Sequence, residues 1–220
     1  MKIFEIVKKP RQQKQFEQTW EYFCRQFGWY NDPYSKNGVR YNLLLPANHN
    51  KMGKKVIGTI EFIPYDPANP DSTVEGESRY KFSGVQKIIE NKDRVWEIDK
   101  LCLHKDFHRL GYFSHFITVV HDHAITHNPK FYVAIVENKL YRMLSMMLGS
   151  SIVKQGDPIP GPSTSLVPVI INIEDIRHNA SLAGKLMSMA VLKESPKKKT
   201  ITGFKKVKKI FFIERLVPKK

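Results

Sequence analysis

VWEIDKLCLHKDFHRLGYFSHFITVVHDHAITH, residues Val95 to His127, reads as one buried strand, one tight turn and one long amphipathic helix. In the strand half Trp96 and Ile98 share one alternating face, yet Leu101 and Leu103 continue the apolar series on the opposite parity. One extra residue swaps the two faces of a strand, so this change of phase predicts a β-bulge near Asp99 and Lys100. A strand buried on both faces is the other reading that periodicity allows. Bulges leave main-chain groups unpaired and recur beside active sites, where a ligand can take up the freed amides. In the helix half Phe113, Phe116, Ile117, Val120 and Ala124 fall on one stripe, which predicts a core face. Gly111 permits a turn that a Cβ resists, and the first amides of the helix lack partners, so the helix start suits a phosphate or pyrophosphate. His121, His123 and His127 are read as lying on the solvent face. No metal site is expected there, since no HExxH pattern accompanies the His123 and His127 pair.

Outward from this stretch, residues 11–27 carry Phe16, Trp20, Phe23 and Phe27 at helical spacing, and FGWYNDPYSKNG then breaks the helix. That breaking segment reads either as a substrate lid or as aromatic residues clamping a loop to the core. Residues 41–45 and 55–62 read as two strands of an antiparallel hairpin. The run DPANPDSTVEGES lacks apolar spacing and predicts an exposed loop, and residues 82–89 are open between strand and helix. KFYVAIVE is a fully apolar strand of mid-sheet type that ends at Asn138, and LYRMLSMMLGS continues as a short helix. Residues 152–163 read as a loop, TSLVPVIINIEDI as a strand with Val167, Val169 and Ile171 alternating, and the spacing of Leu182, Leu186 and Met189 within 181–192 suggests a short helix.

A chain of 220 residues with 41% hydrophobic content supports one substantial core. The expected organisation is a single domain over residues 1–192 and a basic tail over 193–220. The tail holds eleven Lys or Arg against Glu194 and Glu214, so nine of the fifteen net positive charges lie there. Nucleic acid, an anionic membrane surface or an acyl carrier protein would be its partners, unless it is only a solvated end. Two cysteines, Cys24 and Cys102, are too few for a disulfide framework. With no apolar run long enough to span a bilayer and no signal-peptide core at the start, a cytoplasmic location is expected.

The run LCLHKDFHRLGYF resembles the coenzyme-binding segment of the GNAT superfamily of acyl-CoA N-acyltransferases, in which a strand is followed by Q/R-x-x-G-x-G/A. Gly111 matches its glycine, while His108 stands at the first position, Arg109 one residue later, and Phe113 where a small residue is usual. WEIDKLCL resembles the E-x-S-R-F-x-V strand of the acyl-homoserine lactone synthases and their N-acyl amino acid synthase relatives, with Glu97 kept, Asp99 in the serine slot and Lys100 in the arginine slot. Arg25, Phe27, Trp29 and Asp32 look like a compressed form of a cluster in that branch. Where those synthases place an arginine after the glycine of the second hairpin strand, Ile60 and Glu61 follow here, which argues against S-adenosylmethionine as the acceptor.

The resemblance implies an α/β (α+β) fold, with a mixed, mostly antiparallel central sheet, a β-bulge, a V-shaped splay and helices on both faces. It implies an N-acyltransferase that moves an acyl group from acetyl-CoA or a longer acyl-CoA, or from an acyl carrier protein, to a small-molecule amine by direct attack. The other reading is a non-catalytic ligand-binding module of the same fold with a docking tail. The donor would lie on Leu101, Cys102, Leu103, Arg109, Leu110, Gly111, Tyr112, Phe113 and Asn138, and an amide of Leu101, Cys102 or Leu103 would serve the oxyanion. Trp29, Asp32 and Lys100 would meet the acceptor, and Glu97 is the expected base, directly or through water. The family tyrosine is replaced by Ser145, so Tyr141, one helical turn earlier, is the candidate acid, or else packs in the core. Met143, Met146 and Met147 give the same helix a soft face suited to a long acyl chain.

Overall fold

The computed structural model describes residues 3–45, 55–76 and 78–191, so the basic tail and the hairpin connection at 46–54 lie outside the described residues. Eight strands form one sheet: β1 (Phe4–Ile6), β2 (Val39–Leu44), β3 (Val56–Pro64), β4 (Val95–Leu103), β5 (Phe131–Glu137), β6 (Ile152–Lys154), β7 (Ile159–Pro160) and β8 (Ser165–Asn172). Their order across the sheet is β1-β2-β3-β4-β5-β8-β6, with β7 also paired to β8. Only β4 and β5 run parallel; the other neighbours are antiparallel.

The predicted bulge is present. Thr59 pairs with Cys102 and Glu61 with Asp99, so Ile60 alone faces Lys100 and Leu101. Lys100 takes φ 48°, a left-handed conformation that costs a buried side chain and persists only where the surroundings enforce it. The extra residue puts Trp96, Ile98, Leu101 and Leu103 on one face, against the main core. Glu97, Lys100 and Cys102 are thereby buried on the other. The bulge therefore brings an apolar series that changes parity in sequence onto a single face.

Helix α1 (Pro10–Phe27) starts with Pro10 in its first turn and ends on Gly28 at φ 72°; it packs Trp20 and Cys24 against Cys102. Helix α3 (Ser114–His127) covers the opposite face of the sheet with Phe116, Val119 and Ala124. A short helix α2 (Gln86–Ile89), preceded by a 3-10 turn at Phe82–Gly84, settles residues 82–89 as helical. Helix α4 (Asn138–Leu148) follows β5 directly, and α5 (Ile173–His178) and α6 (Ala180–Val191) close the described chain; the strand expected to run through residue 176 stops at Asn172, whose side chain accepts from the Asp175 amide and caps α5. No helix among the described residues is long and apolar enough to cross a membrane.

Three readings are corrected by long-range packing. The stretch after Pro67 is not simply exposed: Ser72 and Val74 are buried because the loop folds back over β4. Residues 152–163 contribute β6 and β7, short strands with too few residues to show a period. His123 lies in the core, not on the solvent face; it stacks on Phe62 and bonds to the Tyr132 hydroxyl through Nδ1 at 2.7 Å. Burial and the neighbouring His127 push its pKa down to about 3, so it packs as a neutral ring.

Gly58 in β3 shows how tightly the bulged pair is built. A Cβ there would sit 2.5 Å from the Cys102 carbonyl oxygen and 3.1 Å from the Phe116 ring. Gly58→Ala is expected to cost about 1–3 kcal/mol, the range for overpacking a core, measured as a fall in urea unfolding free energy.

Candidate active site in the splay between two parallel strands

β4 and β5 are paired only at Val95 with Phe131, Trp96 with Tyr132 and Glu97 with Val133. Beyond that point β4 kinks at Lys100, the two strands part, and a cleft of about 790 Å³ opens between them. Antiparallel ladders alternate between peptide groups that face the partner and groups that face away. With the His104 amide donating to the Ile57 carbonyl at 2.7 Å, Cys102 points its peptide groups at β3, whereas Leu101 and Leu103 turn theirs toward the cleft. The His108 ring Nε2 donates to the outward Leu103 carbonyl at 2.7 Å. Of the three expected main-chain donors, Leu101 and Leu103 are the two aimed at the cleft.

The turn after β4 forms one mouth of the cleft, through His108, Arg109 and Phe113. Arg109 at φ 60° and Gly111 at φ 88° are both left-handed, a pair of turns that exposes successive amides. Helix α3 begins at Ser114, later than Gly111, and the amides of Ser114, His115 and Phe116 donate to the carbonyls of Gly111, Tyr112 and Phe113. Among the described residues the amides of Arg109 through Phe113 make no backbone hydrogen bond. The free donors thus lie in the turn, one step before the helix.

The far wall is aromatic, with Trp20, Phe23, Phe27, Trp29 and Tyr30 lining the cleft beside Asp32. Asp32 is paired with Arg79 at 3.0 Å. Among the described residues the Trp20 and Trp29 indole nitrogens have no hydrogen-bond partner. Arg25, named with this group, is instead an exposed residue 3.7 Å from Glu21.

Four charges sit behind the kink. Lys100 is 1% exposed, with Nζ 2.5 Å from Asp99, 3.2 Å from Glu61 and 3.1 Å from the Pro33 carbonyl. Arg40 completes the set, with Nε 2.8 Å from Glu61 and its other nitrogens on Gln13 and the Ser35 carbonyl. Two cations and two carboxylates make the cluster neutral, the condition on which charges tolerate burial. Burial alone would lower the Lys100 pKa, but Asp99 and Glu61 outweigh it and hold the ammonium above the ordinary lysine value. Glu61 is shifted upward by burial in spite of both cations. A Cβ on residue 38 would fall 2.1 Å from the Glu61 carboxylate, so Gly38 is what leaves room for that group. Lys100, expected at the acceptor, is among the residues lining the cleft, while its ammonium is paired within this cluster.

Glu97 is fully buried and does not line the cleft. Its carboxylate accepts from the Ser72 hydroxyl at 2.9 Å, the Thr73 amide at 3.2 Å and the Thr73 hydroxyl at 3.4 Å. Burial pushes its pKa up to about 7, against those hydrogen bonds. Thr73 itself does line the cleft, so Glu97 reaches it at one remove. Tyr141 packs on the main core and is not among the residues around the cleft, whereas Leu140 and Met143 of the same helix are. The turn of helix that separates Tyr141 from Ser145 thus leaves its hydroxyl away from the opening. Asn138 donates to the Ser165 hydroxyl at 3.5 Å. Sequence reasoning missed Arg40, Glu61, Thr73 and Glu137, all of which the fold brings to or beside the cleft from other strands and loops.

No family model matches this chain, and no curated protein is similar to it in sequence. Solved structures do share its shape. FeeM, an N-acyl amino acid synthase from uncultured soil microbes, superposes with a TM-score of 0.60 at 11% identity, over 83% of this chain and 96% of that one. BjaI, a CoA-dependent acyl-homoserine lactone synthase solved with S-adenosylmethionine and isopentyl-CoA, gives 0.57 at 11% identity, over 86% and 89%. The acyl-homoserine lactone synthase LasI gives 0.54 at 8% identity, over 77% and 89%. The chain therefore has the GNAT-like fold of the N-acyl amino acid and acyl-homoserine lactone synthases.

Proposed function

We propose that the protein is an N-acyltransferase that uses an acyl-CoA as donor and a small-molecule amine as acceptor. The observation that carries this reading is the splay itself: a parallel strand pair that parts at Glu97 and Val133, with outward amides on one strand and a turn of unbonded amides at its mouth. A thioester with a pyrophosphate-bearing handle fits both features at once. The handle lies on the amides of residues 109–113, and the pantetheine arm runs along the free edge of β4. Leu140 and Met143 offer apolar surface to the acyl chain. Attack by an unprotonated amine on the thioester carbon forms the C–N bond and places negative charge on the carbonyl oxygen. The Leu101 or Leu103 amide donates to that oxygen, the nitrogen gives up its proton, and collapse breaks the C–S bond with the electron pair leaving on the CoA sulfur.

Thermal shift with CoA, acetyl-CoA and decanoyl-CoA tests the donor site. A ligand held at about 100 times its Kd stabilises by about 2.7 kcal/mol, so the melting temperature is expected to rise by several degrees with at least one of them. No rise with any of the three removes the main support for the reading. Free-thiol release on adding amines then separates turnover from a module that only binds.

A further inference from the structure

A proton must leave the attacking amine, and each carboxylate so far described is occupied. Asp32 is held by Arg79, Asp99 by Lys100, Glu61 by Arg40 and Lys100, and Glu97 by Ser72 and Thr73. Glu137, the last residue of β5, lines the same cleft and makes no hydrogen bond or ion pair among the described residues. We propose that Glu137 touches the acceptor amine and takes its proton during acyl transfer, a role that rests on the acyltransferase reading above.

Three features of the fold place it there. Strand side chains alternate between faces, and Val133 pairs with Glu97, so Val133, Ile135 and Glu137 share the Glu97 and Cys102 face of the sheet. That face carries α1 and the aromatic wall, whereas the unbonded amides of residues 109–113 lead into α3 on the opposite face. Glu137 therefore looks toward the acceptor side of a donor threaded between the strands. Its height also fits. Four residues separate Glu137 from the Val133 pairing, and on β4 four steps plus the single bulge residue lead from Glu97 to Cys102. Glu137 thus stands across the cleft from the level at which Leu101 and Leu103 aim their amides at a carbonyl oxygen. A nucleophile attacking that carbonyl passes between the two. In the balanced step the amine nitrogen bonds to the acyl carbon, the C–S pair leaves with the CoA sulfur, and the amine proton moves to the Glu137 carboxylate.

Glu137→Gln, Glu137→Asp and Glu97→Gln are compared with the wild-type chain. Acetyl-CoA and decanoyl-CoA serve as donors, a panel of amino acids and aliphatic diamines as acceptors, and free-thiol release as the readout. Glu137→Gln is expected to keep the acyl-CoA thermal shift while kcat/KM falls about 100-fold or more, the usual worth of a positioned general base. The deficit is expected to shrink as pH rises and more of the amine is already unprotonated, which a purely structural loss would not do. Glu137→Asp is expected to recover part of the rate. Wild-type turnover in Glu137→Gln, or loss of its acyl-CoA thermal shift, overturns the assignment and leaves the acyltransferase reading standing. Absence of both a CoA-dependent shift and thiol release in the wild-type chain overturns the acyltransferase reading, and the role of Glu137 falls with it.

Discussion

Lys100→Met is expected to be the most damaging single change outside the apolar core, with a loss of about 3–5 kcal/mol on removing one partner of a buried ion pair. For a chain of this size each kcal/mol moves the melting temperature by about 2–4 °C, so a fall of roughly 10 °C is the outcome to look for. The cause is what remains. Glu61, itself 0% exposed, would keep Arg40 but lose the ammonium at 3.2 Å, and Asp99 would lose its contact at 2.5 Å. Because the penalty resides in stranded charge, Glu61→Gln in the same chain is expected to return part of the loss. A double-mutant cycle is expected to read a coupling of about 1–3 kcal/mol between the two positions. A fully additive cycle would show that the cluster is not energetically connected.

The second large effect is a pH dependence owed to Glu97. Its pKa is raised from 4.5 to about 7 in the folded chain by burial. A raised carboxylate binds its proton more tightly folded than unfolded, so its contribution is fully present below the unfolded value and is lost as pH rises through the folded one. Between pH 5 and pH 8 this amounts to roughly 2–3 kcal/mol by linkage. Measured by urea unfolding, the wild-type chain is expected to lose that much stability relative to Glu97→Gln over this interval, since the variant has nothing to ionise there. A constant difference between the two proteins across the interval would mean that Glu97 is already charged at pH 5. The same titration bears on the cleft, because Ser72 and Thr73 hang on this carboxylate and Thr73 forms part of the cleft wall.

How much of this was legible in the sequence depended on range. The bulge was, because a local change of parity between Ile98 and Leu101 has a local cause. The glycine turn, α1 and the apolar β5 were legible for the same reason. What escaped was set by partners far away in the chain. Nothing around Lys100 announces Glu61 or Arg40, which arrive from β3 and β2. His123 sits on a helix whose period alone does not say that Phe62 and Tyr132 will enclose it. The loop through Ser72 looked exposed because its burial comes from bonds to Glu97, not from apolar spacing. Glu137 was hidden as the end of an apolar run, although its parity with Val133 and Ile135 was the signal that could have found it.

The short pairing of β4 with β5 also has a mechanical meaning. The sheet consists of two half-sheets, β1 to β4 and β5 with β8 and β6, stitched edge to edge by three residue pairs at one end of the seam. Above the last stitch no ladder resists their rocking apart, and the kink at Lys100 fixes where that freedom begins. A donor lying in the gap would act as a cross-brace, extending the seam along the length of β4. Occupancy of the gap and the stiffness of the whole sheet would then be one event.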